Sequence, residues 1–171
     1  MVNTVLLERA AALGIALDTN QAQQFQRYHD MLAEANQKMN LTRVDLGDAN
    51  QAVDYHYLDS IAPLGAAKGA FEGIHSLIDV GAGAGLPGIP LSIALPHVRV
   101  TLLDSLQKRV RFLNEVIEAL ALNAQAVHLR AEDAAHMTEY RERFDMVTAR
   151  AVAALPQLLE LTLPFARVTG H

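Results

Sequence analysis

The sequence of 171 residues contains no cysteine. This absence excludes disulfides, thiolate metal sites and a cysteine nucleophile, and it agrees with a reducing compartment, so we expect a cytoplasmic protein. No apolar run approaches the roughly 18 residues of a transmembrane helix. The opening segment carries Glu8 and Arg9 and lacks the pattern of a signal peptide. We therefore expect no association with a membrane.

Basic residues are also few. The sequence has 14 Lys and Arg against 19 Asp and Glu, which gives a formal net charge of −5. A basic coat for nucleic acid is therefore absent, and any RNA binding must depend on local charge or shape. The seven histidines show no metal-ligand spacing, so no metal site is predicted. The remaining composition, 51% apolar and 19% charged, is typical of a folded domain.

Residues 1–73 have helical periodicity and are predicted to form an N-terminal helical cap. Apolar side chains at spacings of three and four over 25–39 predict an amphipathic helix. Two capping boxes compete for its start, Asp18 with Gln21 and Asn20 with Gln23. A further helix is predicted over 48–65.

Residues 74–171 change to a pattern in which short apolar runs alternate with helical segments. Strands are predicted over 77–80, 98–103, 127–129 and 144–148, and helices over 88–95, 105–121, 133–140 and 155–163. This alternation predicts an α/β, doubly wound, Rossmann-like core with a parallel sheet buried on both faces. Residues 165–169 resemble the start of a fifth strand, so we expect C-terminal strands to be missing.

The turn after the first predicted strand is the most informative stretch. Its glycines allow a sharp bend and close approach of a ligand, and the following helix presents free N–H groups to that ligand. Gly83, Gly85 and Gly88 match the dinucleotide fingerprint of NAD enzymes. The other choice of turn glycines is Gly81, Gly83 and Gly85, and it begins directly where the predicted strand ends. Asp79, at the end of that strand, is suited to a cationic amino group. The frame therefore favours S-adenosylmethionine over NAD.

Further polar residues follow the other predicted strands. Asp104 ends the second strand, where a carboxylate accepts hydrogen bonds from ribose hydroxyls, although it or its neighbour could instead cap the next helix. The run 130–133 after the third strand could contact adenine or simply favour a helix N-terminus. Arg150 follows the fourth strand and could bind guanine or a phosphate, with an ion pair to Asp145 as the structural alternative.

Several of these stretches recur together in one known family. They are 39–42, 56–60, 80–91, 103–105, 108–113 and 148–151. In these stretches the chain resembles the bacterial 16S ribosomal RNA guanine-N7 methyltransferases, also called glucose-inhibited division protein B. The resemblance covers essentially the whole chain, and Gly-Leu-Pro-Gly-Ile-Pro is its most specific string. Family members are longer, which supports the expectation of a missing C-terminal piece.

The resemblance implies a class I S-adenosylmethionine methyltransferase core and roles for individual residues. Gly81 and Leu86 would line the methionine and ribose part of the cofactor. Ala131 and Glu132 would contact adenine, and Arg150 would lie at the mouth shared by cofactor and substrate. The implied partner is 16S ribosomal RNA within the small ribosomal subunit or its precursor, and we expect a monomer.

Three residues of the helical cap are candidates for RNA contact, namely Asn40, Arg43 and His56. Each has a structural alternative: Asn40 as a helix end, Arg43 as a solvated charge, and His56 as a packed helix residue. The choice between the two kinds of role stays open at the level of the sequence.

The expected reaction needs no general base. Guanine N7 carries an available lone pair, so in-line attack on a sulfonium methyl requires only positioning, for which Arg150 is the candidate. The absence of cysteine excludes the usual route to C5 methylation, and residues 148–151 lack the Asn/Asp-Pro-Pro-aromatic loop of amino methylation. The alternatives are an NAD-dependent oxidoreductase and a non-catalytic, cofactor-binding ribosome-assembly factor.

Overall fold

A parallel sheet forms the centre of the molecule. This computed structural model describes residues 1–168 and 170, and the strands in that part are β1 (Ser76–Val80), β2 (Arg99–Asp104), β3 (Ala124–His128) and β4 (Met146–Thr148). Their order is β3-β2-β1-β4. The winding direction therefore reverses between β1 and β4, where doubly wound sheets bind their ligands. The predicted parallel sheet is confirmed.

Helices precede the sheet and then alternate with its strands along the chain, as the sequence pattern predicts. They are α1 (Val2–Ala12), α2 (Thr19–Met39), α3 (Ala49–Ala52), a π-helix (Val53–Leu58), α4 (Asp59–Ala66), α5 (Lys68–Phe71), α6 (Gly88–Ala94), α7 (Gln107–Leu120), α8 (Ala131–Ala134), α9 (Leu155–Thr162) and a 3₁₀ turn (Leu163–Phe165). In the part of the chain that the structure describes, none of them is long and apolar enough to cross a bilayer.

Both faces of the sheet are buried at its central strands, β1 and β2, as their apolar runs predict, whereas β3 and most of β4 are only partly buried. Leu77 and Leu102 face a large core formed with α1, α2, α6 and α7. Ile78 and Leu103 face a smaller core completed by α8 and Phe165. Because side chains alternate along a strand, Asp79 shares the face of Leu77 and lies beneath α6.

The helical segments before the sheet pack on its larger core. The side chain of Asp18 accepts a hydrogen bond from the Gln21 backbone, so the first of the two capping boxes starts α2. Tyr28 of α2 is fully buried against Tyr57 of the π-helix, with ring centroids 5.8 Å apart. Asn40, with φ 49°, ends α2 where the sequence predicts.

Two predicted helices differ from the structure. The segment 48–65 is divided between α3, the π-helix and α4, because the backbone bonds of residues 53–58 shift to the wider π pattern. The helix predicted over 133–140 is limited to α8, after which the chain turns. The predicted fifth strand is represented by a parallel bridge between Phe144 and Ala166, while residue 169 lies outside the described residues.

Candidate cofactor and substrate sites

A cleft of about 180 Å³ opens at the carboxyl ends of β1, β2 and β3. Four of the predicted cofactor residues line it, namely Gly81, Asp104, Ala131 and Glu132. Arg130, from the predicted run 130–133, also lines it, and the structure adds lining residues that the sequence did not indicate: Val80, Leu103, Ser105, Leu129, Val152 and Leu161. We refer to this space as the cofactor cleft. It combines apolar walls with two carboxylates.

Asp104 organises the floor of the cofactor cleft. Its Oδ2 accepts a hydrogen bond from the backbone N–H of Gly83 at 2.8 Å, and its Oδ1 accepts one from Leu106 at 2.9 Å. Arg109 Nη1 lies 3.5 Å from the same Oδ2. The carboxylate therefore fixes both the residue that precedes α7 and the glycine turn. Oδ1, with a single donor, retains lone-pair capacity for a ligand hydroxyl, because a carboxylate accepts up to about four hydrogen bonds.

Most backbone N–H groups of the glycine turn already donate hydrogen bonds to acceptors within the protein. The backbone N–H groups with an acceptor in the protein are those of Gly81, Ala82, Gly83, Gly85, Leu86 and Gly88. Dinucleotide-binding turns hold a pyrophosphate through free N–H groups at this position. A pyrophosphate would therefore find few donors here, which argues against the NAD alternative.

Asp79 lies below the glycine turn, and its predicted contact with the cofactor stays a prediction. Its side chain is fully buried and does not line the cofactor cleft. Its Oδ2 accepts from the Gly88 N–H at 2.9 Å, and its Oδ1 accepts from the Thr148 hydroxyl at 3.2 Å. Burial raises the pKa of Asp79 to about 7. The residue joins β4 to the start of α6, and its carboxyl lies where a pyrophosphate would need a positive environment.

Gly85 and Leu86 also lie away from the cofactor cleft. A Cβ atom on Gly85 would meet Leu113 Cδ2 at 3.0 Å and the Tyr28 hydroxyl oxygen at 3.3 Å. Leu86 is buried in the larger core. The Tyr28 hydroxyl donates a hydrogen bond of 2.8 Å to the Ala84 carbonyl. These residues fix the turn against α2, and their contact with the cofactor stays a prediction.

The segment after β4 narrows the cofactor cleft. A Cβ atom on Gly81 would lie 2.8 Å from Val152 Cγ2, so the Val152 side chain rests on the Gly81 backbone. Ligand pockets usually measure about 300–1,000 Å³, and the cleft falls below that range. A cofactor that contacts Gly81 therefore requires Val152 to move outward.

Arg150 points to a second cavity. Its Nη1 lies 2.8 Å from Asp59 Oδ2 and 3.5 Å from the Tyr55 carbonyl oxygen. The predicted alternative, an ion pair with Asp145, is wrong, because Asp145 pairs with Arg167 at 2.8 Å. Arg150 thus connects β4 to α4. The cavity beside it measures about 270 Å³ and lies between α4 and the carboxyl end of β4. We call it the cap–core cavity.

The three candidate RNA contacts are placed differently from one another. His56 is buried, with Nε2 at 2.7 Å from Thr42 Oγ1 and Nδ1 at 3.0 Å from the Tyr55 carbonyl oxygen. Desolvation lowers the pKa of His56, so the ring is neutral near pH 7 and holds the loop after α2. Asn40 and Arg43 are exposed on that loop, outside both cavities. Across the described residues, no cluster of three or more metal-ligating side chains is found.

Comparison with known proteins identifies the family. A model of the GidB family, described as rRNA small subunit methyltransferase G, matches residues 21–171. The ribosomal RNA small subunit methyltransferase G of Acetivibrio thermocellus is 48% identical over 97% of this chain and 67% of its own length. That of Brevibacillus brevis is 45% identical over 100% of this chain and 71% of its own length. The chain belongs to the rRNA small subunit methyltransferase G family.

Solved structures agree with this family at the level of the fold. The O-methyltransferase from Bacillus cereus in complex with SAH has a TM-score of 0.56, at 18% identity over 98% of this chain and 71% of its own chain. Coclaurine N-methyltransferase bound to N-methylheliamine and SAH has a TM-score of 0.56, at 12% identity over 99% of this chain and 54% of its own. These structures confirm the predicted fold class, and the family match confirms the methyltransferase activity.

Proposed function

We propose that this methyltransferase transfers a methyl group from S-adenosylmethionine to N7 of one guanine in 16S ribosomal RNA, within the small subunit or its precursor. The observation that carries the proposal is the family match over residues 21–171, combined with the cofactor cleft at the reversal point of the sheet. Because bacterial ribosomes are assembled in the cytoplasm, this substrate implies a cytoplasmic enzyme.

The residues of the cofactor cleft fit the proposed cofactor. Asp104 offers acceptors for ribose hydroxyls, and Leu103, Leu129 and Ala131 provide an apolar wall suited to adenine. Glu132 adds a second carboxylate beside the cationic side chain of Arg130, so the cleft offers both hydrogen-bond acceptors and donors to a polar ligand. When bound, S-adenosylmethionine supplies an electrophilic methyl group on a sulfonium centre.

The chain's contribution to the reaction is positioning. Guanine N7 has a lone pair in the plane of the base, so no proton has to be removed before attack. Asp104 fixes the glycine turn through Gly83, and Val152 covers the cofactor cleft. Arg150 stands at the junction of cap and core, where it can orient the base. Holding two reactants in an in-line geometry replaces a large part of the entropic barrier.

The experiment is methyl transfer to isolated ribosomal particles. We would incubate the protein with radiolabelled S-adenosylmethionine and small subunits from cells that lack the modification, then map the label by chemical cleavage at N7-methylguanine. We expect one labelled guanine in these particles and none in particles from modified cells. S-adenosylhomocysteine binding without any transfer would support the non-catalytic assembly factor instead. Asp104→Asn should reduce transfer, whereas Asp54→Asn, on the surface of the cap, should not.

A further inference from the structure

The cap–core cavity has the composition of a nucleobase pocket. Its walls are largely apolar and come from Pro63 and Phe71 on one side and from Pro87, Leu91 and Val147 on the other. Its two charged side chains belong to Asp59 and Arg150, which are linked at 2.8 Å. A mainly apolar pocket with a few polar groups is how enzymes hold a base taken out of its stack.

The cavity lies next to the cofactor cleft. Residues 149–152 separate the two spaces, with Arg150 lining the cap–core cavity and Val152 lining the cofactor cleft. β1 and β4 are adjacent strands, paired through Asp79 and Thr148, so both spaces open at the same edge of the sheet. A base in one space is thus a neighbour of a ligand in the other.

We propose that Asp59 and Arg150 together recognise the Watson–Crick edge of the target guanine. This inference rests on the proposed function, in which N7 is the attacking atom. N7 must then be free of protein contacts, so the protein has to identify the base at its other polar edge. That edge presents the acceptor O6 and the donors N1–H and N2–H₂.

The ion pair supplies the complementary groups. Among the described residues, Asp59 Oδ2 is bound to Arg150, while Oδ1 has no side-chain partner and the carboxylate is half exposed. The carboxylate can accept from N1–H and N2–H₂, and the planar guanidinium keeps further N–H donors for O6. Adenine presents an acceptor at N1 and a donor at N6. Adenine would therefore place an acceptor against the carboxylate and a donor against the guanidinium. Such unpaired polar groups are strongly disfavoured when the bound base covers them.

The test compares guanine with inosine, which lacks only the 2-amino group. Small-subunit RNA carrying inosine at the methylated position would be assembled into particles and assayed beside the guanine form. The wild-type enzyme should methylate inosine roughly 10- to 100-fold more slowly, because a hydrogen bond to a charged acceptor is lost. In Asp59→Asn the guanine rate should fall and this ratio should shrink to about threefold or less.

Control variants separate recognition from folding. Asp54→Asn removes a carboxylate of the same cap that pairs with Arg9 on the surface, and it should keep the full guanine-to-inosine ratio. Asp59→Glu retains a carboxylate and should keep most of the ratio even if Asp59→Asn is unstable. Equal wild-type rates on guanine and inosine, or an undiminished ratio in Asp59→Asn, would overturn the inference while leaving the proposed function intact. No wild-type transfer to guanine would overturn the proposed function itself.

Discussion

The buried carboxyl of Asp79 should make stability depend on pH, and Asp79→Asn should remove that dependence. Asp79 is fully buried and accepts hydrogen bonds from the Gly88 N–H and the Thr148 hydroxyl. Asparagine has the same shape, so its carbonyl can accept from Gly88 while its amide donates to the Thr148 hydroxyl oxygen. The substitution thus removes the titration and leaves the contacts in place.

The magnitude follows from the pKa of the Asp79 carboxyl. Burial raises it from 3.8 to about 7. At 1.36 kcal/mol per pKa unit, this shift corresponds to about 4 kcal/mol. Below pH 3.8 both the folded and the unfolded chain hold the proton, so the stabilising contribution of the Asp79 carboxyl to the free energy of unfolding is fully present. As pH rises toward 7 only the folded chain still holds it, so the free energy of unfolding falls by about 1.4 kcal/mol per pH unit.

The assay is urea denaturation of both proteins at a series of pH values between about 5 and 8, followed by circular dichroism. Other titrating groups are common to both proteins and cancel in the difference. Between about pH 5 and pH 7, the free energy of unfolding of Asp79→Asn should rise by about 2–3 kcal/mol relative to that of the wild type. A difference that stays constant within about 0.5 kcal/mol over that interval would refute the burial of an ionisable group at this position.

Two further predictions concern the glycine turn. Tyr28→Phe removes the hydroxyl that bonds the Ala84 carbonyl at 2.8 Å, and it should lower the free energy of unfolding by about 1–3 kcal/mol in urea titrations. Gly81→Ala places a Cβ 2.8 Å from Val152 at φ +72°, so it should cost about 1–2 kcal/mol of stability and weaken S-adenosylhomocysteine binding in calorimetry. Gly69→Ala, where a Cβ would meet nothing within 4 Å, is the matched control; an equal loss there would contradict the steric argument.

Much of the fold could be predicted because short, mainly apolar runs mark its central strands. β1 and β2 begin and end within one residue of their predicted bounds. β3 begins three residues before its predicted start at 127, because its first residues, Ala-Gln-Ala, carry little strand signal. The π-helix was missed because its bonding pattern depends on packing around Tyr57, while its apolar stripe is that of an ordinary helix.

The site was predictable where residues follow strand ends and unpredictable where distant segments meet. Asp104 lies at its expected place because the carboxyl end of β2 opens into the cofactor cleft. The burial of Asp79 could not be predicted, because a strand buried on both faces gives no sign of which face each side chain takes. The partner of Arg150 is Asp59, 91 residues earlier in the chain, and such a pairing leaves no local pattern in the sequence.

The most direct test of the account is calorimetric titration of this chain with S-adenosylhomocysteine and, separately, with NADH. The bonded amides of the glycine turn predict no binding of NADH, and Asp104 with the apolar wall of the cofactor cleft predicts binding of S-adenosylhomocysteine. Asp104→Asn should weaken the binding of S-adenosylhomocysteine by roughly tenfold or more, since an amide donor replaces one of the two accepting carboxylate oxygens. Binding of NADH, or no binding of S-adenosylhomocysteine, would contradict the account.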